Sequence, residues 1–207
     1  MCHNIFLNKK NKKMATKLNL GFGLVELLVS ISIMILVIGV VLSQHSAFNG
    51  AVLLRGQAYE IALQTRDVQM KAVSVKTDGS GAVTAFRKVY GLHFDTGSPN
   101  TYDIFLDGTT VNGYTVGEEL GKQGKLDPRF EIVGIDLVGS AGTPTKVSVL
   151  FERPNFDARF FKADGTEDTG ATAVKIDIRL KGTSGAGTGK VRTVEITKTG
   201  QISVVPI

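Results

Sequence analysis

The longest apolar run in the chain lies near its N-terminus, between residues 22 and 42. It reads FGLVELLVSISIMILVIGVVL, and Glu26 is its single charged residue. At about 1.5 Å of rise per residue, a helix of this length covers roughly 30 Å, the hydrocarbon thickness of a bilayer. A soluble core helix usually keeps a polar face, whereas this run offers only Ser30 and Ser32 beside Glu26. The pattern predicts a membrane-spanning helix over residues 22–42.

A helical pattern continues beyond this run. Apolar residues recur at intervals close to three and four, with Thr65 filling one gap. They are Leu54, Ala58, Ile61, Val68, Ala72 and Val75. The first proline is Pro99, and turn-forming residues cluster at 77–81. We therefore predict an amphipathic continuation of the helix over residues 43–76.

Residues 77–207 change to a period of two, which is typical of half-buried strands. The alternation is cleanest in Ala173–Lys181. Further strands are predicted at Val83–His93, Tyr102–Leu106, Phe130–Leu137, Val147–Phe151, Val191–Thr197 and Gln201–Val205, the last two as a hairpin with Gly200 at positive φ. The predicted fold class is α+β, a long N-terminal α-helix followed by a mainly antiparallel β-sheet domain.

The net charge of +5 comes from a basic leader, residues 1–21. Five lysines and no acidic residue lie there, and removing them from the 24 basic residues leaves 19 against 19 acidic ones. A neutral remainder gives no general basis for binding nucleic acid. The single cysteine, Cys2, is also in the leader, so the rest of the chain forms no disulfide. The chain can start at Met1 or at Met14, and either leader is basic.

The lysines precede the apolar run, so the positive-inside rule places the N-terminus in the cytoplasm and exports the chain beyond residue 42. A secretory signal is the rival interpretation, but its apolar region is shorter, about 7 to 15 residues. Glu26 needs an explanation, since a carboxylate in lipid costs on the order of a few kcal/mol unless it is paired. It can snorkel to the interface. Alternatively, cleavage after Gly21 would give Phe22 a free amine four residues away, able to pair with Glu26 within a chain or between chains.

The segment GFGLVELLVSISIMILVIGVVL resembles the class III signal of type IV pilins and pseudopilins. The resemblance implies that a prepilin peptidase cuts between Gly21 and Phe22 and methylates Phe22, and that Glu26 is the assembly carboxylate through which subunits polymerise. It also implies an inner-membrane protein that moves into a pilus or a type II secretion-like pseudopilus. Two departures are Gly23, where many members have Thr, and a span without proline.

No residue pattern predicts an enzyme, a cofactor or a metal. GTSGAGTGK at Gly182–Lys190 lacks the first glycine and the final Ser or Thr of a phosphate loop. The histidines His3, His45 and His93 are scattered, and no GxSxG elbow occurs. Asp164, Glu167 and Asp168 could gather around calcium, but a solvated hairpin tip is the preferred interpretation.

The leading hypothesis is a structural subunit, a minor pilin or pseudopilin, whose partners are prepilin peptidase, other pilin-like subunits and membrane lipid. The alternative is a filament-borne module that binds a ligand or takes up DNA, with Lys190, Arg192 and Lys198 as a local basic patch. A third hypothesis is a membrane-anchored domain that is never processed.

Overall fold

The computed structural model describes residues 23–74, 89–108, 111–121, 123–152, 154–182 and 191–206, without the side chains of residues 43–49 and 206. Contacts divide the chain into an N-terminal unit, residues 1–45, and a C-terminal unit, residues 46–207. One helix and nine strands occur among the described residues, and all strand pairs are antiparallel. The predicted α+β class is confirmed.

Helix α1 covers Leu24–Val73. Its first hydrogen bond runs from Leu27 N to Gly23 O at 3.1 Å, so Gly23 is the N-cap. In the C-terminal unit, six of the seven residues of the predicted stripe are buried, Thr65 among them, and the seventh, Val75, lies outside the described residues. The Thr65 hydroxyl donates to Ile61 O at 2.8 Å, which satisfies a polar group inside the core. Helix α1 ends at Val73, and its buried stripe extends from Leu54 to Ala72.

The strands form two sheets. Their bounds are β1 Val89–Asp95, β2 Thr101–Asp107, β3 Gly124–Lys125, β4 Phe130–Val138, β5 Lys146–Phe151, β6 Ala158–Lys162, β7 Ala173–Leu180, β8 Val191–Thr197 and β9 Ile202–Pro206. The order in sheet I is β3-β2-β1-β5-β6, and the order in sheet II is β4-β7-β8-β9. The terminal hairpin is confirmed, with Gly200 at φ +79° between β8 and β9.

Sheet I buries side chains on both of its faces. One face joins the main core with the helix stripe and sheet II, and it contributes Leu92, Phe94, Val147 and Val149. The alternate positions form a second apolar cluster, which consists of Val89, Phe105, Leu150 and Phe161 with Val111 and Tyr114 packed on it. Residues 111–121 thus cover part of the far face of sheet I, an arrangement that the alternation pattern does not predict.

Strands β3 and β6 were not predicted, and the predicted strand β4 is irregular. In β6 both Phe160 and Phe161 are buried, because each of them enters a different cluster. A strand buried on both faces lacks the alternation that identifies a strand in sequence. Strand β3 has only two residues, and β4 carries a bulge between Ile132 and Gly134. Of the predicted strand Val83–His93, the part before Val89 lies outside the described residues.

Candidate functional site

The first 19 residues of α1, Leu24–Leu42, are the most exposed apolar surface of the described chain. None of that surface is buried, and the large side chains range from 45% exposure at Ile31 to 76% at Leu24. It is the one described helix that is long and apolar enough to cross a membrane. Water is a poor solvent for such a surface, so this segment requires lipid or protein around it.

The polar side chains of this segment differ in whether they form a hydrogen bond within the helix. Ser30 Oγ donates to Glu26 O at 2.7 Å, and Ser32 Oγ donates to Leu28 O at 2.8 Å. Both hydroxyls are therefore satisfied inside the helix, which makes them compatible with an apolar environment. The carboxylate of Glu26 is exposed in the first turn, and no described residue bonds to it. Among the described residues of the segment, it is the polar side chain without a bond inside the helix.

Of the three predicted site residues, the structure describes only Glu26. Glu26 lies three residues after the N-cap, at the end of the helix where the backbone dipole attracts negative charge. Gly21 and Phe22 lie outside the described residues. The cleavage point and the pairing of a Phe22 amine with Glu26 accordingly stay predictions.

Sheet I holds a buried polar row that no sequence pattern predicts. Strand register sets His93 opposite both Asp103 on β2 and Ser148 on β5. His93 Nδ1 and Ser148 Oγ share a hydrogen bond of 3.0 Å, and Ser148 Oγ also accepts the Tyr114 N–H at 3.1 Å. The Tyr114 ring stacks on the imidazole with centroids 4.4 Å apart. His93 and Ser148 are 55 positions apart in the chain, so it is strand register that brings them together.

The row contains the residue types of a hydrolase triad, but its geometry favours a structural role. Ser148 is 3% exposed, and the Tyr114 backbone and ring cover it and His93. A nucleophile needs an open position beside it for the reacting atom. Burial lowers the pKa of His93, although Asp103 and Asp95 oppose that effect. One carboxylate oxygen of Asp103 is buried without a hydrogen-bond partner.

The acidic residues near Asp164 do not gather around a common point. The Asp164 carboxylate accepts from Thr166 N at 2.9 Å within a tight turn, where Gly165 has φ +79°. Glu167 pairs with Arg159 at 2.8 Å, and Asp168 accepts from Ser140 and from Lys162. The bond from Ser140 and the ammonium of Lys162 hold the pKa of Asp168 below its usual range. In the ranges that the structure covers, no group of three His, Cys, Asp or Glu residues could hold a metal ion.

The basic patch that the DNA-binding alternative needs is not formed by the described residues. Lys190 lies outside them. Arg192 lies near the start of β8 and Lys198 directly follows its end, roughly 20 Å away at about 3.3 Å per residue. On the outer face of sheet II, Arg179 pairs with Glu131 at 2.9 Å. Lys175 lies between Asp136 and Glu195 in the strand register. Within the described strands, the charges on this face alternate in sign and form no basic stripe.

Comparison of the chain with known protein families, with curated proteins and with solved structures found no match.

Proposed function

We propose that this chain is a pilin-like structural subunit, a minor pilin or pseudopilin. It is stored in the inner membrane through residues 22–42, cut by a prepilin peptidase between Gly21 and Phe22, and assembled into a filament through the same helix. The observation that carries the proposal is Glu26, a lone carboxylate in the first turn of an exposed apolar helix, five residues after Gly21.

The apolar segment suits two successive environments. In the membrane, lipid covers its side chains, and Glu26 lies close enough to one end of the helix for its carboxylate to reach the interface. In a filament, the same side chains would be covered by other copies of the helix. Since Ser30 and Ser32 are satisfied internally, Glu26 alone would select the register between neighbours.

Pairing of the Glu26 carboxylate with an amine would supply the free energy that selects the correct register. A buried carboxylate without a partner costs several kcal/mol, so a subunit docked in the wrong register would be disfavoured by that amount. A peptidase-generated amine on Phe22 would be the complementary charge. This gives one reason for both the cut and the position of the acid.

Mass spectrometry of the mature protein tests processing directly. The expected N-terminus is N-methylated Phe22, and Gly21→Ala should leave the precursor at full length. Gly23→Ala is the matched control, because a Cβ at Gly23 meets no atom within 4 Å, and processing should continue. Any other mature N-terminus contradicts the proposal, and an unchanged size in wild-type cells favours an unprocessed membrane anchor.

Assembly is tested with Glu26→Ala. Filament yield should fall at least about tenfold. Without the carboxylate, docking in a wrong register is no longer disfavoured, and the loss of even about 1.4 kcal/mol of this preference changes the equilibrium tenfold. The control is Ser30→Ala, which removes a hydroxyl that bonds only within its own helix. Filaments formed normally by the Glu26→Ala chain would rule out the carboxylate as the assembly determinant.

A further inference from the structure

The helix in the C-terminal unit carries a second apolar stripe on the face that points away from the core. We call Val52, Gly56, Tyr59, Leu63 and Met70 the outer stripe. Its four side chains are largely exposed: Val52 53%, Tyr59 44%, Leu63 69% and Met70 55%. Helices on a protein surface usually show polar residues on this face. Here both faces of α1 are apolar, and only one of them is covered by the described residues.

The spacing of the outer stripe is that of a two-stranded coiled coil. Positions 52, 56, 59, 63, 66, 70 and 73 are separated alternately by four and three residues, as positions d and a of a heptad are. Apolar residues or glycine occupy all of them except 66. Arg66 Nη1 donates to Gln69 Oε1 at 2.6 Å, and Arg66 and Met70 border the same surface hollow beside Phe156 and residues 199–201.

Charges flank the outer stripe with opposite signs on its two sides. If 56, 63 and 70 are a positions, Arg55 is at g, while Glu60 and Asp67 are at e. In a parallel pair of such helices, a g residue faces the e residue five positions later in the partner. Arg55 of one chain would then face Glu60 of the other. In the single chain Arg55 Nη2 donates to Tyr59 Oη at 3.4 Å, and Glu60 accepts from Gln57 Nε2 at 2.8 Å, so each side chain would exchange a contact within its own helix for one across the seam. An antiparallel pair would set the acidic e edges against each other and lose this match.

From the spacing, the exposure and the flanking charges, we infer that a second copy of this chain docks along the outer stripe, parallel and in register. At the a position of Gly56 the surface is open, since a Cβ there would meet no atom within 4 Å. The two Arg55 and Glu60 pairs, one on each side of the seam, favour the parallel orientation.

The pair depends on the proposed membrane anchoring for its strength. Three heptads form a weak coiled coil in dilute solution, since short helical seams bury little apolar area. Two chains inserted in one membrane in the same orientation are already parallel and share a high effective concentration. The dimer is therefore expected in the membrane, where subunits wait before assembly.

Single-cysteine crosslinking of the full chain in its membrane tests the inference. In a Cys2→Ser background, Met70→Cys places the thiol at an a position, where two in-register helices bring identical residues together. Lys71→Cys is the matched control, one residue away and similarly exposed, with half of the Lys71 side chain accessible. Oxidation should link Met70→Cys into dimers at least about fivefold faster than Lys71→Cys, because disulfides need Cβ atoms about 4 Å apart.

Charge exchange tests the orientation. Arg55→Glu and Glu60→Arg should each reduce crosslinking at Met70→Cys by about fivefold, and the double exchange should restore it. Equal crosslinking at positions 70 and 71 overturns the dimer, as does linkage only between cysteines at different positions. Failure of the double exchange to restore linkage overturns the assigned orientation. Mass spectrometry of the same samples reports cleavage at Phe22, so loss of the dimer with normal processing leaves the proposed subunit function standing.

Discussion

Gly200 connects the last two strands where the chain passes very close to two other segments. A Cβ at this position would lie 1.9 Å from Phe156 O and 2.5 Å from Gln69 Nε2, and the backbone has φ +79°. Gln69 is fully buried, and its Nε2 donates to both Phe156 O and Gly200 O, at 2.8 and 2.9 Å. One amide thus joins helix α1 to two loops, and only glycine leaves room for it.

We predict that Gly200→Ala destabilises the C-terminal unit by about 3 kcal/mol or more, because steric overlap adds to the left-handed strain. The matched control is Gly182→Ala. Gly182 has φ +76°, but a Cβ there would meet no atom within 4 Å, so a loss of about 1 kcal/mol is expected. Urea unfolding of the detergent-solubilised chain, followed by far-UV circular dichroism, measures both. Similar losses would show that the contact with Phe156 and Gln69 contributes nothing.

His93 makes stability depend on pH in a defined direction. Its pKa is lowered in the fold by burial, so the unfolded chain binds a proton at a higher pH than the native one. Stability contributed by the neutral ring is complete above the ordinary value of 6.5 and is lost as pH falls through the lower, native pKa.

Urea midpoints measured between about pH 5 and pH 8 should therefore fall toward acid in the wild type. His93→Gln should flatten this slope while lowering stability by about 1 to 2 kcal/mol at neutral pH, since the ring packing on Tyr114 is lost. Lys71→Ala, which removes an exposed ion pair with Asp67 on helix α1, should leave the slope in place. An unchanged slope in His93→Gln would assign the acid sensitivity to other groups.

At the scale of the element, one face of helix α1 in the C-terminal unit is buried in the core and the other is exposed. Ile61 is fully buried in the main core, while Leu63, two residues further, is 69% exposed. Ile61→Ala should cost about 2 to 4 kcal/mol through a cavity, whereas Leu63→Ala should stay within about 0.5 kcal/mol in the dispersed chain. Thermal unfolding in dilute detergent checks the difference. Equal effects would mean that the outer stripe already packs against something in the monomer.

Secondary structure was predictable where one periodicity dominated. The helix stripe around Ile61 and the alternation of β7 came directly from the sequence, because each element buries a single face. Strand β6 escaped prediction since Phe160 and Phe161 are buried on opposite faces. The bulge at Ile132–Gly134 also gave no local signal, because it is defined by pairing with β7.

At the scale of the whole molecule, the net positive charge lies in residues 1–21, outside the folded C-terminal unit. The leader holds the excess of lysine, and several described basic residues of the C-terminal unit form ion pairs with acidic ones. Arg159, for example, pairs with both Glu152 and Glu167 at 2.9 and 2.8 Å. Such pairs contribute little stability when exposed, but they cancel the field that would attract a polyanion.

We accordingly predict that the detergent-solubilised protein lacking residues 1–21 shows no salt-dependent retention of DNA in gel shifts from about 50 to 200 mM salt. The precursor, which keeps its five leader lysines, is the positive comparison and should retain some DNA at the low end. Retention of the processed chain that weakens steeply with salt would revive the DNA-binding alternative.

The sequence by itself determined the apolar segment, the isolated Glu26, the buried helix stripe and the α+β class, because these follow from residue types at short, regular spacing. Tertiary structure alone decided the row Asp103, His93 and Ser148, the cover of residues 111–121 over sheet I, and the clamp of Gln69 on Gly200. These contacts join residues up to 131 positions apart. They depend on strand register and loop path, which are set by the packing of the whole C-terminal unit and leave no local pattern in the chain.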